Sequence, residues 1–376
     1  MMKNTKGITL VALVITIIIL LILAGISIQT ITQTNLFKKA ERAKEETEQA
    51  QEKENEMLSN YIDSMNEYLP DTLADKVKKR EIEIGSYVNY SPDTINNEKY
   101  KKLISNLATY SGNTNKDYNT AETIKQEELK WRILDVKDGQ VRLISAITGA
   151  KIGLTGYNAY NNGVKLLDDT CSTLYNSKKL ASKVQNLKIE DIGNKLKEKD
   201  YSKIDSNYGK SYTYQDLITY YPSMLLKDKE QEVTIGGKTI KGTELGISEQ
   251  NEYIKQETEN KTADVLKIKN TSWGKNMNEE DFENSKYYEL FIKNENYYNN
   301  YWLSSRCVGG IPAFANYCIY RVDVGWISGI SLYSSNPGTE LPEYRSCRPV
   351  ITLNSNVQID TTNSGNGTEN SPYNIK

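Results

Sequence analysis

The chain contains no histidine, and this absence removes several classes of function at once. Its 376 residues also include only four phenylalanines and four cysteines. Without histidine there is no Ser-His-Asp triad, no Cys–His pair and no imidazole metal ligand. An enzyme would have to work with Asp, Glu, Lys, Tyr or Cys, so we expect a protein that is not an enzyme and that has no cofactor and no metal site.

The chain also lacks a strong net charge. Its 47 basic residues nearly balance 49 acidic ones, for a formal net charge of −2. Nucleic-acid-binding domains concentrate positive charge on one face, so nucleic acid is not an expected partner. The 27 tyrosines far outnumber the phenylalanines, and tyrosine suits a β-rich surface that is partly wet.

A long apolar run near the N-terminus predicts a transmembrane helix. Residues 8–28, ITLVALVITIIILLILAGISI, contain no charged residue. About 21 residues at roughly 1.5 Å each span a hydrocarbon core of ~30 Å. No small-x-small cleavage site follows, which argues against an ordinary signal peptide. We therefore predict a single-pass membrane protein that contacts membrane lipid through residues 8–28, with its N-terminus cytoplasmic and its domain extracellular at the cell surface. The alternative is a buried core helix.

The helical pattern continues through residues 29–69 and predicts a stalk. Apolar and small residues recur there at alternating steps of four and three, which is heptad spacing. Leu69-Pro70 ends the pattern. Both a weak coiled coil with a partner and a solvated spacer helix fit, and the Ala, Thr and Glu residues on the seam favour the spacer.

The junction before the apolar run resembles that of a known family. Lys6-Gly7-Ile8-Thr9-Leu10-Val11 is similar to the leader junction of type IV prepilins. The resemblance implies that residues 1–7 are a leader peptide, that a prepilin peptidase cleaves between Gly7 and Ile8, and that Ile8 is then N-methylated. Ala12 stands where the family normally has a glutamate for subunit pairing, so a filament with other pilin-like subunits stays an open alternative.

Residues 80–359 predict an extracellular α+β domain, and residues 360–376 a flexible C-terminal tail. Asp138-Gly139 and Gly236-Gly237 each separate two short alternating runs, which is a hairpin signal. Helices are predicted over Leu174–Lys183, over Ile189–Lys199 and over Tyr214–Leu226.

Two motifs in the C-terminal third carry a second resemblance. Residues 301–306, YWLSSR, and residues 348–353, RPVITL, resemble a bacterial extracellular domain family marked by a YWL-x-S strand and a closing RPV-x-x-L strand. That family is similar to the C-type-lectin-like and formylglycine-generating-enzyme superfold. The predicted fold class is therefore α+β, with a long N-terminal transmembrane-plus-stalk helix followed by a mixed, β-rich, C-type-lectin-like domain.

The candidate site residues come from these motifs and from the cysteines. Trp302, Arg306 and Arg348 are predicted ligand contacts, and the alternative for the arginines is that they bridge strand ends. The cysteines predict disulfides of unknown pairing, or else buried free thiols; they are Cys171, Cys307, Cys318 and Cys347.

The favoured function is that of a membrane-anchored, prepilin-like cell-surface protein that displays a binding domain for a glycan or a surface protein. One alternative is a minor pseudopilin of a secretion or pilus-type assembly. A less favoured one is a tethered enzyme of the formylglycine-generating type, which uses a cysteine pair with copper. None of the three cysteines in the C-terminal third can be matched to that pair.

Overall fold

A computed structural model gives the fold of the chain. It describes residues 14–22, 42–44, 46–47, 49–57, 70–214, 232–235, 238–241, 252–258, 261–294, 297–334 and 338–376. The chain divides into two units, Met1–Pro70 and Asp71–Lys376. The second unit is a mixed α+β structure that is rich in β-strands and has two main sheets.

The predicted long N-terminal helix is corrected by the structure. Among the described residues, no helix has both the length and the apolar character needed to cross a membrane. The apolar run contributes residues 14–22 as described helix. The transmembrane-plus-stalk part of the fold class and the single-pass membrane localisation were therefore wrong.

Among the described residues of the second unit, two α-helices are long and four are short. They are α1 Leu73–Lys78, α2 Asn97–Tyr110, α3 Gly156–Tyr175, α4 Ile189–Gly193, α5 Tyr201–Ile204 and α6 Ser285–Phe291. Thr72 begins α1 with a capping box, because its hydroxyl and the Asp75 carboxylate exchange hydrogen bonds with each other's backbone N–H groups.

The first sheet has six strands in the order β20-β1-β2-β3-β19-β5. These strands are β1 Tyr87–Asn89, β2 Trp131–Lys137, β3 Gln140–Ser145, β5 Ala181–Asn186, β19 Pro349–Leu353 and β20 Tyr373–Asn374. The pair β1–β20 is parallel, and the other pairs are antiparallel. Residues 360–376, predicted as a flexible tail, thus contribute an edge strand. The predicted hairpin at Asp138-Gly139 is confirmed between β2 and β3.

The second sheet has the order β11-β16-β15-β14-β18-β4, and β17 adds to β16. Its strands are β4 Lys151–Thr155, β11 Lys275–Asn276, β14 Tyr301–Ile311, β15 Phe314–Asp323, β16 Trp326–Ser334, β17 Thr339–Glu340 and β18 Pro342–Ser346. Three smaller groups complete the described strands: β6 Ser211–Tyr214 with β9 Glu252–Thr258 and β10 Lys261–Lys269, then β7 Glu232–Ile235 with β8 Lys238–Lys241, and β12 Lys293–Asn294 with β13 Tyr297–Tyr298.

Helix α3 packs between the two main sheets, because it contacts β5 of the first and β14, β15 and β16 of the second. Thirteen of its twenty residues are buried. Gly163 allows α3 to approach β15 closely, since a Cβ placed at Gly163 would lie 2.4 Å from Cδ1 of Ile319 in β15. The predicted helix Leu174–Lys183 is wrong, because α3 ends at Tyr175 and β5 begins at Ala181. Most of the predicted helix Tyr214–Leu226 lies outside the described residues.

A buried ionic network fastens α4 to the first sheet. Arg142 of β3 donates to both carboxylate oxygens of Asp135 in β2, at 2.7 Å each, and also to Asp191 of α4. Lys195 approaches Asp135 at 2.7 Å. Burial by itself raises the pKa of Asp135, but the bonds and charges of Arg142 and Lys195 outweigh burial and leave this pKa below its usual value.

We predict that Asp135→Asn lowers the free energy of unfolding by about 3 kcal/mol, because it leaves the buried Arg142 and the partly buried Lys195 with less counter-charge. Since the pKa of Asp135 is lowered in the folded state, its stabilising contribution is present above the pKa of the unfolded chain and is lost as the pH falls through the folded value. Urea unfolding between about pH 7 and about pH 3 should therefore show a weaker acid dependence in the variant.

The matched control is Asp169→Asn, which breaks the partly exposed pair of Asp169 with Lys165 inside α3. We expect a loss below about 1 kcal/mol there. Equal losses for the two variants would contradict the structural role given to the buried network.

Candidate functional site

Two of the predicted ligand contacts lie inside the protein. Trp302 is completely buried, and its indole N–H donates to the carbonyl of Ile152 at 3.0 Å. Arg348 is also buried; it donates to Asn299 Oδ1 at 2.8 Å and to the carbonyl of Leu290 at 2.9 Å. The YWL and RPV motifs therefore supply core side chains, and neither residue is accessible to a ligand in this structure.

Arg306 binds backbone carbonyls of α3, and no carboxylate of the described residues lies at bonding distance from it. Its Nε donates to the carbonyl of Tyr160 at 2.6 Å, and its Nη2 donates to the carbonyl of Asn161. Burial lowers the pKa of Arg306 to about 10. The side chain thus fixes α3 against β14, which differs from the predicted alternative of a bridge between strand ends.

The remaining predicted site residues divide into two groups. All four cysteines are buried and carry free thiols in this structure, and the disulfides of unknown pairing stay a prediction. Gly7 and Ile8, the predicted cleavage and methylation positions, lie outside the described residues, so prepilin-type processing stays a prediction.

An unusual turn joins β15 to β16. Asp323 pairs with Trp326, so Val324-Gly325 is a two-residue hairpin loop, and both residues have positive φ, +47° and +88°. The turn between β2 and β3 has the same form, but there Asp138 occupies the first position with φ +50°. Asp and Asn tolerate this backbone conformation, whereas a β-branched residue is strained in it. Val324 therefore destabilises this turn relative to Asp or Asn.

Two large apolar side chains of this turn face solvent. Val324 is 61% exposed and Trp326 is 45% exposed. All four tryptophans lie in the described residues, and the other three are at most 2% exposed. An exposed indole lacks the stabilisation that burial would provide, and the positive φ of Val324 destabilises the turn further. Destabilising backbone conformations are concentrated at functional sites.

Two exposed amide side chains adjoin the turn. Asn276 of β11 lies directly opposite Trp326 in the strand register and is exposed. Asn300 is also exposed, and its Oδ1 accepts the backbone N–H of Val324 at 2.9 Å. Gly274 gives the indole room, since a Cβ there would lie 3.3 Å from Trp326 Nε1. The turn thus presents an aromatic surface together with hydrogen-bonding groups, and we call Asn276, Asn300, Val324 and Trp326 the Trp326 surface.

A partly exposed charge cluster adjoins this surface. The Asp323 carboxylate accepts hydrogen bonds from Arg321 and from Arg345, the latter at 2.7 Å, and Arg345 also pairs with Glu343 at 3.3 Å. Burial, followed by the charge of Arg345, lowers the pKa of Arg321. The cluster fixes Asp323, which is the first residue of the turn, and so holds the Trp326 surface in place.

The Trp326 surface is not among the sites predicted from the sequence, although the sequence contains a signal for it. Gly325 follows a strand and precedes a second one, which is typical of a hairpin. Ile327 is fully buried, so alternation along β16 puts Trp326 on the outer face. Val324, the residue before Gly325, argues against a turn at this position, because valine favours a strand and disfavours positive φ.

Comparison of the chain with family models, with curated proteins and with solved structures gives no match. The resemblance to prepilins and to the YWL-x-S and RPV-x-x-L family therefore stays a prediction from the sequence.

We predict that exchanging residue types between the two hairpin turns has opposite effects on stability. Val324→Asn should raise the free energy of unfolding by about 1 kcal/mol, because asparagine tolerates positive φ. Asp138→Val should lower it by about 1–2 kcal/mol for the converse reason. Urea denaturation of each variant against the parent chain measures both values.

A neutral or destabilising Val324→Asn, beside a destabilising Asp138→Val, would contradict the strain assigned to Val324. The comparison is matched, because both positions are the first residue of a two-residue loop between paired antiparallel strands.

Proposed function

We propose that the Asp71–Lys376 unit is a binding domain and that its Trp326 surface binds a glycan. The observation that carries the proposal is the half-exposed indole of Trp326 on a turn whose backbone is strained at Val324. Folding alone would favour a buried aromatic and an Asn or Asp in this turn. Binding gives a physical reason for both departures.

The chemistry of the surface fits a sugar ring. One face of a pyranose is lined by C–H groups and packs on an indole, while its hydroxyl groups need donors and acceptors at the rim. Asn276 and Asn300 each offer an amide with both donor and acceptor atoms. The Arg321–Asp323–Arg345 cluster adds charged groups beside them, and these groups are about one-fifth exposed.

The size of the surface favours a glycan over a protein. A stable protein interface buries about 800 Å² on each partner and usually contains several apolar anchors. The apolar part of the Trp326 surface is formed by two side chains, Val324 and Trp326. Two side chains can cover one or two sugar rings, whereas a protein partner would need a larger contiguous patch.

We predict that the full-length chain binds members of a glycan array and that Trp326→Ala lowers the affinity for the best ligand at least about tenfold, a loss of roughly 1.4 kcal/mol. Since Trp326 is the exposed tryptophan, the same ligand should shift the protein's fluorescence and should protect it from acrylamide quenching. Titration of parent and variant measures both effects.

Ile147→Ala is the matched control, because Ile147 is 44% exposed and lies outside the Trp326 surface. It should leave glycan affinity unchanged. A glycan that binds Trp326→Ala as well as the parent chain would refute this surface as the site, and an array without any bound glycan would refute the ligand class.

A further inference from the structure

The four cysteines lie in the structure as two pairs of neighbours. The even count leaves three connectivities open from sequence alone. The fold brings Cys171 to Cys347, and Cys307 to Cys318, so each thiol is next to one other thiol. This arrangement includes every cysteine of the chain.

Cys307 and Cys318 are direct cross-strand partners in β14 and β15. Directly opposite residues in antiparallel strands have Cβ atoms about 4.5–5.5 Å apart, and a small movement brings them to disulfide distance. Gly329 of β16 leaves space for the pair, since a Cβ there would lie 2.5 Å from Cys307 Sγ and 3.2 Å from Cys318 Cβ.

Cys171 and Cys347 come from distant parts of the chain. Cys171 Sγ lies 3.8 Å from Asn186 Oδ1, and the same oxygen accepts the backbone N–H of Arg348 at 2.6 Å. The Cys347 thiol packs against Gly149, where an added Cβ would lie 3.1 Å from Sγ. Each thiol pair therefore has a neighbouring glycine that leaves room for the two sulfur atoms.

We propose that these pairs are the native disulfides of the protein, Cys171–Cys347 and Cys307–Cys318, and that they form by exchange with a low-molecular-weight disulfide. A cysteine thiolate attacks the oxidant, for example oxidised glutathione, whose S–S bond breaks to release one glutathione thiolate. The partner cysteine then attacks the mixed disulfide and releases the second. Two electrons pass from each cysteine pair to the oxidant, and the two thiol protons end on the two glutathiones.

Burial determines when the exchange takes place. All four thiols are almost completely buried. Burial, and then the neighbouring thiol, raises the pKa of Cys171 and of Cys307 well above the ordinary value, so these two thiols form little reactive thiolate in the folded chain. Exchange thus proceeds while the core is still open, and the finished disulfides are shielded from reductants.

The test is to refold the full-length chain in a mixture of reduced and oxidised glutathione. The product is then unfolded, alkylated, digested without reduction and mapped by mass spectrometry. We expect loss of all four free thiols and two cross-linked peptides, one that joins Cys171 to Cys347 and one that joins Cys307 to Cys318. Any other pairing, or four alkylated cysteines, would overturn the proposal, and a missing single pair would overturn that pair.

Two serine variants separate the pairs. Cys171→Ser should leave Cys347 free and keep the Cys307–Cys318 link, while Cys318→Ser should do the reverse. Oxidation should raise the urea midpoint more in Cys318→Ser than in Cys171→Ser, because the Cys171–Cys347 link closes a far longer loop than a hairpin does. A shift to a new pairing in either variant, with unchanged yield of folded protein, would count against the assigned connectivity.

Discussion

The amide of Asn186 joins the parts of the Asp71–Lys376 unit that the sequence keeps far apart. This completely buried side chain, at the end of β5, donates to the carbonyl of Trp302 in β14 at 2.9 Å and accepts the backbone N–H of Arg348 at 2.6 Å. Its backbone N–H donates to the Asp168 carboxylate of α3 at 3.0 Å. One residue thus links the first sheet, the second sheet and the central helix. A buried polar group of this kind is stabilising only when every partner is in place.

Around this link the two sheets play different parts. The first sheet contributes buried ion pairs, through which Arg142 holds α4. At one edge this sheet ends in the parallel pair β1–β20. The second sheet carries long antiparallel hairpins, and the turn of one of them exposes Trp326. The paired strands on either side of this turn hold Val324 in its unfavourable backbone conformation.

Local signals in the sequence predicted local structure. Asp138-Gly139 identified its hairpin because both residues accept positive φ. The helix predicted over Ile189–Lys199 begins at Ile189 but ends at Gly193. Helix α3 was missed, because its first turns contain Gly156, Asn161, Asn162 and Gly163, all poor helix formers. Tertiary packing overrides propensity there: Gly163 lets the helix approach β15, and Arg306 binds carbonyls of its first turns. Burial of Trp302 and the thiol pairing depend on contacts between distant segments, which composition and periodicity do not encode.

The position of β19 has a consequence for synthesis on the ribosome. This strand, Pro349–Leu353, lies between β3 and the edge strand β5 of the first sheet, although both neighbours precede it by more than a hundred residues. While the chain grows, β3 and β5 have no shared partner and keep open edges, which are prone to pair with other chains. The pairing of β3 and β5 with β19 can form only after residue 353 has left the exit tunnel. We therefore expect a nascent chain that depends on protection of its unpaired strands until β19 has been synthesised.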